Sequence, residues 1–137
     1  MCGSRAWKDR RKIRQVLQEL PYHAVVAHGG ARGADLIAKQ EAEGLGLRTV
    51  PYPVDATLDG PWPAAGIKRN TRMVEDFKPE FAFAFRSAGR SNGTDDCFRK
   101  CKKAGANSYM IKEDSTELDL ARVTGLWWQQ LTLLEGE

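Results

Sequence analysis

Apolar and polar positions along the chain follow two periods, and each period predicts one kind of element. Residues 9–20 carry apolar side chains at intervals of three and four, which is the spacing of an amphipathic helix, and Pro21 ends the run. Asp9 is a suitable N-cap for this helix. Residues 24–27 and 81–85 form short runs that are too apolar for an exposed face, so both are predicted to be buried strands.

The remaining segments continue the alternation of strands and helices. Helices are predicted over residues 35–45 and 67–77, and a third helix is predicted to begin with Thr94 as its cap and to end at Gly105. Residues 48–54 and 108–111 are predicted strands, the first at a sheet edge because it contains two prolines. This alternation predicts an α/β fold with a doubly wound, mainly parallel sheet and flanking helices.

The two ends of the chain depart from this pattern. Residues 3–5 have the composition of a loop that follows a strand, but two preceding residues are too few for a central strand. The N-terminal strand is therefore predicted to be truncated. Residues 115–137 are predicted to be a tail that packs on a core of residues 3–111 or on a partner, as a helix or, over residues 127–134, as a strand. We expect residues 126–134, or a partner chain, to cover the gap beside the short strand.

Length and composition restrict the possible functions. A chain of 137 residues fits a single domain with its own core, and a net charge of +3 is too small for a dedicated nucleic-acid surface. No apolar run reaches the length of a membrane span, and no signal peptide is recognisable, so a cytoplasmic location is expected. The three cysteines do not form a disulfide framework, and Cys97 and Cys101 are expected to be buried on one helix face. No metal site and no cofactor are expected.

The most informative stretch is residues 24–35, where a buried strand meets a glycine turn and then a helix. Gly29, Gly30 and Gly33 let backbone N–H groups approach a ligand that a Cβ atom would keep away. The helix that follows adds the positive end of its dipole, and Arg32 adds a planar cation that suits phosphate or carboxylate. The stretch predicts an anion site. It matches neither the dinucleotide nor the P-loop motif, and a glycine-rich turn can also be only a tight connection.

Two further strand ends carry the same chemistry. The loops at residues 3–5 and 86–94 are also rich in glycine and small polar side chains, and each contains an arginine. Because the carboxyl ends of parallel strands lie at one edge of a sheet, the three loops are expected to meet there. Tight turns require glycine, but they do not require an arginine beside it, and here an arginine occurs in all three loops. The coincidence favours a ligand with a phosphate group, such as a nucleotide.

Four motifs together resemble the SLOG superfamily, and within it the small YspA-like members of unknown function. They are G-S-R-x-W at residues 3–7, H-G-G-A-R-G-A-D at 28–35, K-R-N-T-R-M at 68–73 and N-G-T-D-D at 92–96. The resemblance implies a Rossmann-like fold that binds nucleotides or their derivatives, and several relatives are thought to be ligand sensors. It also implies a pocket lined by Gly3, Ser4, Arg5, Gly29, Gly30, Arg32, Gly33, Asp35, Arg69, Asn70, Gly93 and Thr94.

Another branch of the superfamily consists of cytokinin-activating phosphoribohydrolases, whose P-G-G-x-G-T-x-x-E motif contains a glutamate important for the reaction. The corresponding stretch here keeps Gly93 and Thr94 but has Cys97 at the glutamate position. A thiol does not assist an oxocarbenium-like transition state as a carboxylate does. Asp95 and Asp96 are the remaining catalytic candidates, although a shift of one residue turns a helical side chain by about 100°.

Four other side chains have two interpretations each. His28 is a possible general base, but a histidine at a strand end with no nearby carboxylate in the sequence is more often structural. Asp35 either accepts a ribose hydroxyl or only stabilises the dipole of its helix. Trp7 and Trp62 either stack on a base or cover the core. The sequence leaves both tryptophans and Asp35 undecided.

These observations predict a small cytoplasmic protein that binds a nucleotide or nucleotide derivative and senses it rather than turning it over. The alternative is an N-glycosidase acting on nucleoside monophosphates, with Asp95 or Asp96 active and Arg32 holding the phosphate. A second alternative is binding of single-stranded nucleic acid, which the mild charge disfavours. The predicted partners are a nucleotide-like small molecule and, through the tail, a second copy of the chain, with no membrane.

Overall fold

The computed structural model describes residues 1–89 and 91–116 and confirms the predicted alternation of strands and helices. One short helix lies in a segment for which the sequence predicts a loop. No helix in the described residues is long and apolar enough to cross a membrane. The elements are β1 (Cys2–Gly3), α1 (Arg10–Gln18), β2 (Val25–His28), α2 (Ala34–Gly44), β3 (Arg48–Pro51), α3 (Ala56–Asp59), α4 (Ala65–Phe77), β4 (Phe81–Arg86), α5 (Asn92–Lys103) and β5 (Asn107–Lys112).

The strands pair in parallel throughout the described part of the chain. β4 pairs with β1 on one side and with β5 on the other, and β3 pairs with β2 at the predicted sheet edge. The amino group of Met1 donates to the carbonyl oxygen of Ala27 at 2.9 Å, which joins β1 to β2. The strands therefore form a three-stranded sheet in the order β1, β4, β5 and a two-stranded sheet of β2 and β3, and this hydrogen bond links the two. This is the arrangement of a Rossmann-like α/β fold, as predicted.

The first strand is as short as predicted, and it lies at the edge of its sheet. Cys2 and Gly3 pair with β4, and the N–H of Ser4 continues the pairing with the carbonyl of Phe85 at 2.8 Å. The expectation that two residues are too few for a central strand is therefore confirmed, because β1 pairs with β4 alone and only the Met1 amino group reaches β2. A second cavity of about 440 Å³ lies between residues 25–27 of β2 and residues 81–83 of β4.

The predicted cover for this gap lies outside the described residues. Residues 126–134 and the predicted contact with a second copy through the tail both belong to the segment beyond residue 116. Both therefore stay predictions, and so does the single domain over residues 1–137.

The alternating sequence of β4 gives the sheet one bulky face and one small face. Phe83 and Phe85 pack into the cluster that contains the apolar side of α1 and α2, whereas Ala82 and Ala84 belong to the cluster with α4 and α5. Because successive side chains of a strand point to opposite faces, the F-A-F-A-F run builds both layers of the core at once. The helices therefore cover both faces of the sheet.

Two helix starts have the side-chain caps that their sequences favour, and a third differs from the prediction. Asp9 accepts a backbone N–H at the start of α1, as predicted, and Asp55 does the same for α3. Thr94 is not the cap of α5, because that helix begins at Asn92 with Ser91 as its N-cap residue. Thr94 instead lies in the first turn, where its Oγ1 accepts the hydroxyl of Ser91 at 3.3 Å.

Candidate ligand-binding site

A cavity of about 860 Å³ opens where β1, β2 and β4 end. The cavity lies outside the carboxyl ends of these parallel strands, which is the usual ligand site of open α/β sheets. Ten of the twelve predicted site residues line it, and Gly30 and Gly33 do not. The ten are Gly3, Ser4, Arg5, Gly29, Arg32, Asp35, Arg69, Asn70, Gly93 and Thr94.

The glycine turn is closed by a buried carboxylate. The N–H of Gly29 donates to Oδ2 of Asp35 at 3.0 Å. A Cβ atom on Gly29 would lie 2.5 Å from Nη1 of Arg69 and 2.7 Å from that same carboxylate oxygen. Glycine is therefore required here, because any side chain would separate the turn from the two groups that hold it.

Gly30 and Gly33 shape the turn from outside the cavity lining. Both have a positive φ, of 74° and 80°. A Cβ on Gly30 would meet no atom within 4 Å, whereas one on Gly33 would lie 2.4 Å from the carbonyl oxygen of Arg5 and 2.5 Å from that of Ser4. Gly33 thus allows the start of α2 to approach the end of β1, which is a structural role rather than direct contact with a ligand.

Asp35 holds the glycine turn, a role that neither interpretation of the sequence includes, and its contact with a ribose hydroxyl stays a prediction. It is only 5% exposed, and burial raises the pKa of its carboxyl, against the opposing effect of the Met1 ammonium and the Arg69 guanidinium. Its Oδ2 holds the turn, while its Oδ1 has no hydrogen-bond partner among the described residues. Asp35 lines the cavity, and Oδ1 itself is a buried atom whose missing hydrogen bond calls for an explanation.

His28 is structural, which agrees with the interpretation that the sequence favours. It is buried, it does not line the cavity, and its Nδ1 accepts the N–H of Gly30 at 3.1 Å. Burial, together with the positive charges of the Met1 ammonium and Lys39, lowers the pKa of His28 to about 4, although Glu43 opposes this shift. The neutral imidazole therefore stabilises the glycine turn by accepting the N–H of Gly30.

This pKa predicts a loss of stability in mild acid. The pKa of His28 is about 6.5 in the unfolded chain and about 4 in the folded protein, so between these values the unfolded state binds more protons. The contribution of the neutral imidazole to the free energy of unfolding is complete above pH 6.5, and it declines as the pH falls toward 4. In urea denaturation between pH 7 and pH 5, His28→Asn should show a smaller decline in unfolding free energy than the wild type. The matched control is His23→Asn at an exposed position, and equal slopes for the wild type and His28→Asn would contradict the assignment.

Three helix starts at the cavity have no side-chain cap. The N-cap residues of α2, α4 and α5 are Gly33, Ala64 and Ser91, and none of them makes a side-chain capping hydrogen bond. The two capped helices, α1 and α3, do not contribute to the cavity lining. Uncapped first turns carry the positive end of the helix dipole, although in α2 the N–H groups of Ala34 and Leu36 already donate to the carbonyl oxygens of Ser4 and Ala31. The cavity is therefore surrounded by groups that favour an anion.

A cluster of hydroxyl groups lies beside the start of α5. The hydroxyls of Ser4 and Ser91 are hydrogen-bonded to each other, and the N–H of Ser87 donates to Oγ of Ser4 at 3.0 Å. Ser87 and Ser91 line the cavity but are absent from the predicted site. The signal was present in the sequence, because both serines belong to the glycine-rich and serine-rich loop after β4.

Two arginines at the cavity are available for a ligand. Arg5 and Arg32 are exposed and line the cavity, and neither makes an ion pair or a hydrogen bond with any residue that the structure describes. The guanidinium of Arg5 lies 5.5 Å from the centre of the Trp62 ring. Both cations therefore reach the cavity without having to break a salt bridge first.

Arg69 and Asn70 also line the cavity, but most of their polar atoms serve the fold. Nη1 of Arg69 donates to the carbonyl oxygens of Gly29 and Tyr52 at 2.5 and 3.0 Å, and its Nε donates to the amide oxygen of Asn70. The amide nitrogen of Asn70 donates to the carbonyl of Gly93 at 3.2 Å. The two side chains thus connect α4 to the ends of β2 and β3 and to the start of α5.

The two catalytic candidates are held in ion pairs outside the cavity lining. Both oxygens of Asp95 accept from the guanidinium of Arg86, at 2.9 and 3.3 Å. Asp96 pairs with Arg99 at 2.9 Å and with Lys100 at 2.8 Å. Neither aspartate lines the cavity. An acid or base must reach the bond that it cleaves, and these two carboxylates lie in ion pairs outside the cavity lining.

The cavity floor includes a buried thiol. Cys97 lines it, and Cys97 and Cys101 are buried on one face of α5, as predicted. A hydrogen bond from Cys101 lowers the pKa of the Cys97 thiol, but the thiol of Cys2 and burial outweigh it and raise that pKa above its ordinary value. A thiol with a raised pKa is a weak nucleophile. In the described residues, no group of three or more His, Cys, Asp or Glu side chains is placed to hold a metal ion.

The two tryptophans that the sequence leaves undecided differ in their burial. Trp7 is 1% exposed, meets the ring of Phe85 edge-on at 5.4 Å, and donates its indole N–H to the carbonyl of Asp9. Trp62 is 61% exposed and lines the cavity. Trp7 therefore belongs to the core, whereas Trp62 covers no part of it.

Comparison with known proteins agrees with the motifs that carry the resemblance. The family described as "YspA, cpYpsA-related SLOG family" matches residues 1–58, which include the first strand end and the glycine turn. The Gene 61 protein of Mycobacterium phage D29 is 41% identical over 112 residues, which cover 77% of this chain and 88% of that protein. No solved structure gives a significant match.

Proposed function

The chain belongs to the YspA- and cpYpsA-related SLOG family, and from this membership and the cavity we propose that it binds a nucleotide or nucleotide derivative. The observation that carries the proposal is the set of three uncapped helix starts around a cavity that is also lined by Arg5 and Arg32, which form no ion pair with the described residues. Unsatisfied backbone N–H groups and guanidinium groups together are the donors that phosphate oxygens require.

In this proposal each end of the ligand has its own group of partners. The phosphate is bound by first-turn N–H groups and by Arg32, whose planar fork suits two phosphate oxygens at once. Oδ1 of Asp35 accepts a hydrogen bond from a ribose hydroxyl, because it is buried and otherwise unpartnered. The volume of about 860 Å³ is sufficient for a mononucleotide.

Binding without turnover is the function that the site supports best. Both aspartates at the start of α5 are paired with cations, and the residue at the position of the hydrolase glutamate is a protonated thiol. A glycosidase needs a carboxylate at the scissile bond. We therefore propose a sensor-like role, with the nucleotide as the signal.

A thermal-shift screen tests this proposal. AMP, GMP, CMP, UMP, ribose 5-phosphate and inorganic phosphate are added at millimolar concentration, and at least one nucleotide is expected to raise the melting temperature by several degrees. A ligand at one hundred times its Kd adds about 2.7 kcal/mol to the free energy of unfolding. Chromatography of the same mixtures should detect no free base.

The other outcomes separate the alternatives. Release of a base would favour the N-glycosidase, and salt-dependent binding of a single-stranded oligonucleotide would favour the nucleic-acid function. No shift with any nucleotide would contradict the proposed function.

A further inference from the structure

Trp62 is a large aromatic side chain that the fold leaves exposed at the cavity. It lies between the end of α3 and the start of α4, is 61% exposed, and lines the cavity together with Pro63 and Gly66. An indole that exposes most of its surface contributes little to a core. Its conformation must therefore be explained by its neighbours at the site.

Two neighbours position the ring. A Cβ atom at Gly66 would lie 3.3 Å from Cζ3 of Trp62 and 3.7 Å from its Cη2, so the edge of the indole packs against the first turn of α4. The guanidinium of Arg5 lies 5.5 Å from the ring centre, within the range of a cation–π contact. The glycine thus provides the space for the ring, and the arginine covers part of its surface.

The Arg5 guanidinium lies over the Trp62 ring, where a stacked nucleobase would lie. A guanidinium is planar and stacks on an aromatic face, as a base does. Arg5 is exposed and has no ion pair or hydrogen bond with the described residues, so it can move outward at small cost. A base inserted between the two groups requires a separation of roughly 7 Å, which is twice an ordinary contact distance of about 3.5 Å.

We propose that Trp62 is the stacking platform for the base of the ligand, with Arg5 closing over the opposite face of that base. This inference rests on the proposed function and extends it, because it requires a ligand with an aromatic base and not only a sugar phosphate. Stacking on an indole tolerates any base, since every base has a π-face. The phosphate partners at the helix starts then provide affinity for the charged end, and Trp62 provides affinity for the base.

Calorimetric titration with AMP and with ribose 5-phosphate tests the platform, because the two ligands differ only in the base. In Trp62→Ala, AMP is expected to bind about 5- to 150-fold more weakly, as for the loss of one stacked base, while the Kd of ribose 5-phosphate stays unchanged. Trp62→Phe should retain most of the AMP affinity.

Tyr22→Ala is the matched control, since Tyr22 is an aromatic side chain that is 91% exposed and does not line the cavity. Melting temperatures without ligand verify that each variant is folded. An equal loss of affinity for AMP and ribose 5-phosphate in Trp62→Ala, or no loss for either, would overturn the platform and leave the proposed function standing. If no nucleotide of the thermal-shift screen binds to the wild type, the proposed function fails and the platform fails with it.

Discussion

Replacing Gly33 with alanine is expected to lower the free energy of unfolding by about 3–5 kcal/mol, through backbone strain and overpacking together. Gly33 has φ of 80° and ψ of −131°, a region that residues with a side chain rarely adopt. Its new Cβ would also lie 2.4–2.5 Å from the carbonyl oxygens of Arg5 and Ser4. Both obstacles are backbone atoms directly after β1, so no side-chain rotation relieves the contact. Urea denaturation monitored by circular dichroism measures the loss.

Gly30→Ala is the matched control because Gly30 lies in the same turn and has nearly the same φ, 74°. A Cβ there would meet no atom within 4 Å, so only the cost of the left-handed conformation remains, about 1–2 kcal/mol. The difference between the two variants isolates the steric approach of α2 to β1. Equal destabilisation would mean that the contact at Gly33 is unimportant.

The same glycine connects stability to the site. The N–H of Ala34, next in the chain, donates to the carbonyl of Ser4 at 3.1 Å, so the start of α2 is attached to the end of β1. A residual folded population of Gly33→Ala is therefore expected to bind AMP more weakly as well, because the uncapped start of α2 moves away from the other two helix starts. Gly33 therefore affects the affinity for the ligand indirectly, through the position of α2.

The fold could be predicted from the sequence wherever a local pattern determines the element. The alternation of Phe and Ala in residues 81–85 fixes a strand with two buried faces, and the apolar spacing after Asp9 fixes a helix. The residue at which α5 begins is not determined by a local sequence pattern. Ser91, Asn92 and Thr94 are all good caps by residue type, and contacts with Ser4, which is distant in sequence, select the first of them.

The site was predictable in its location but not in the role of each residue. The glycine and arginine content of the strand-end loops indicated which loops meet. Arg69 resembles Arg32 in sequence, yet its guanidinium is occupied by the carbonyls of Gly29 and Tyr52, which are about 20–40 residues away in the chain. Nothing local in the sequence distinguishes an arginine that is bonded to carbonyls from one that is available to a ligand. The same holds for Trp7 and Trp62, which differ only in burial.

This distinction between the arginines leads to the second large effect. Arg32→Ala is expected to weaken AMP binding by about 10- to 150-fold, or roughly 1.5–3 kcal/mol, which is the value of hydrogen bonds to a charged group. The stability of the unliganded protein should hardly change, because Arg32 is exposed and makes no hydrogen bond or ion pair with the described residues. Arg32→Lys should restore only part of the affinity, since an ammonium group does not bind two phosphate oxygens in a fork. Calorimetric titration measures each Kd.

Substitutions of two other arginines test whether the loss of AMP affinity is specific to Arg32. Arg48→Ala removes an equally exposed guanidinium at the start of β3, at the opposite edge of the sheet, and should leave the Kd for AMP within two-fold of the wild type. Arg69→Ala should instead lower the melting temperature without ligand, because it leaves the carbonyls of Gly29 and Tyr52 without that donor. If Arg32→Ala binds AMP as tightly as Arg48→Ala does, the phosphate is held elsewhere in the cavity. Because Arg32 and the uncapped helix starts contact the cavity independently, that outcome would direct attention to the start of α5 and its serines as the remaining anion site.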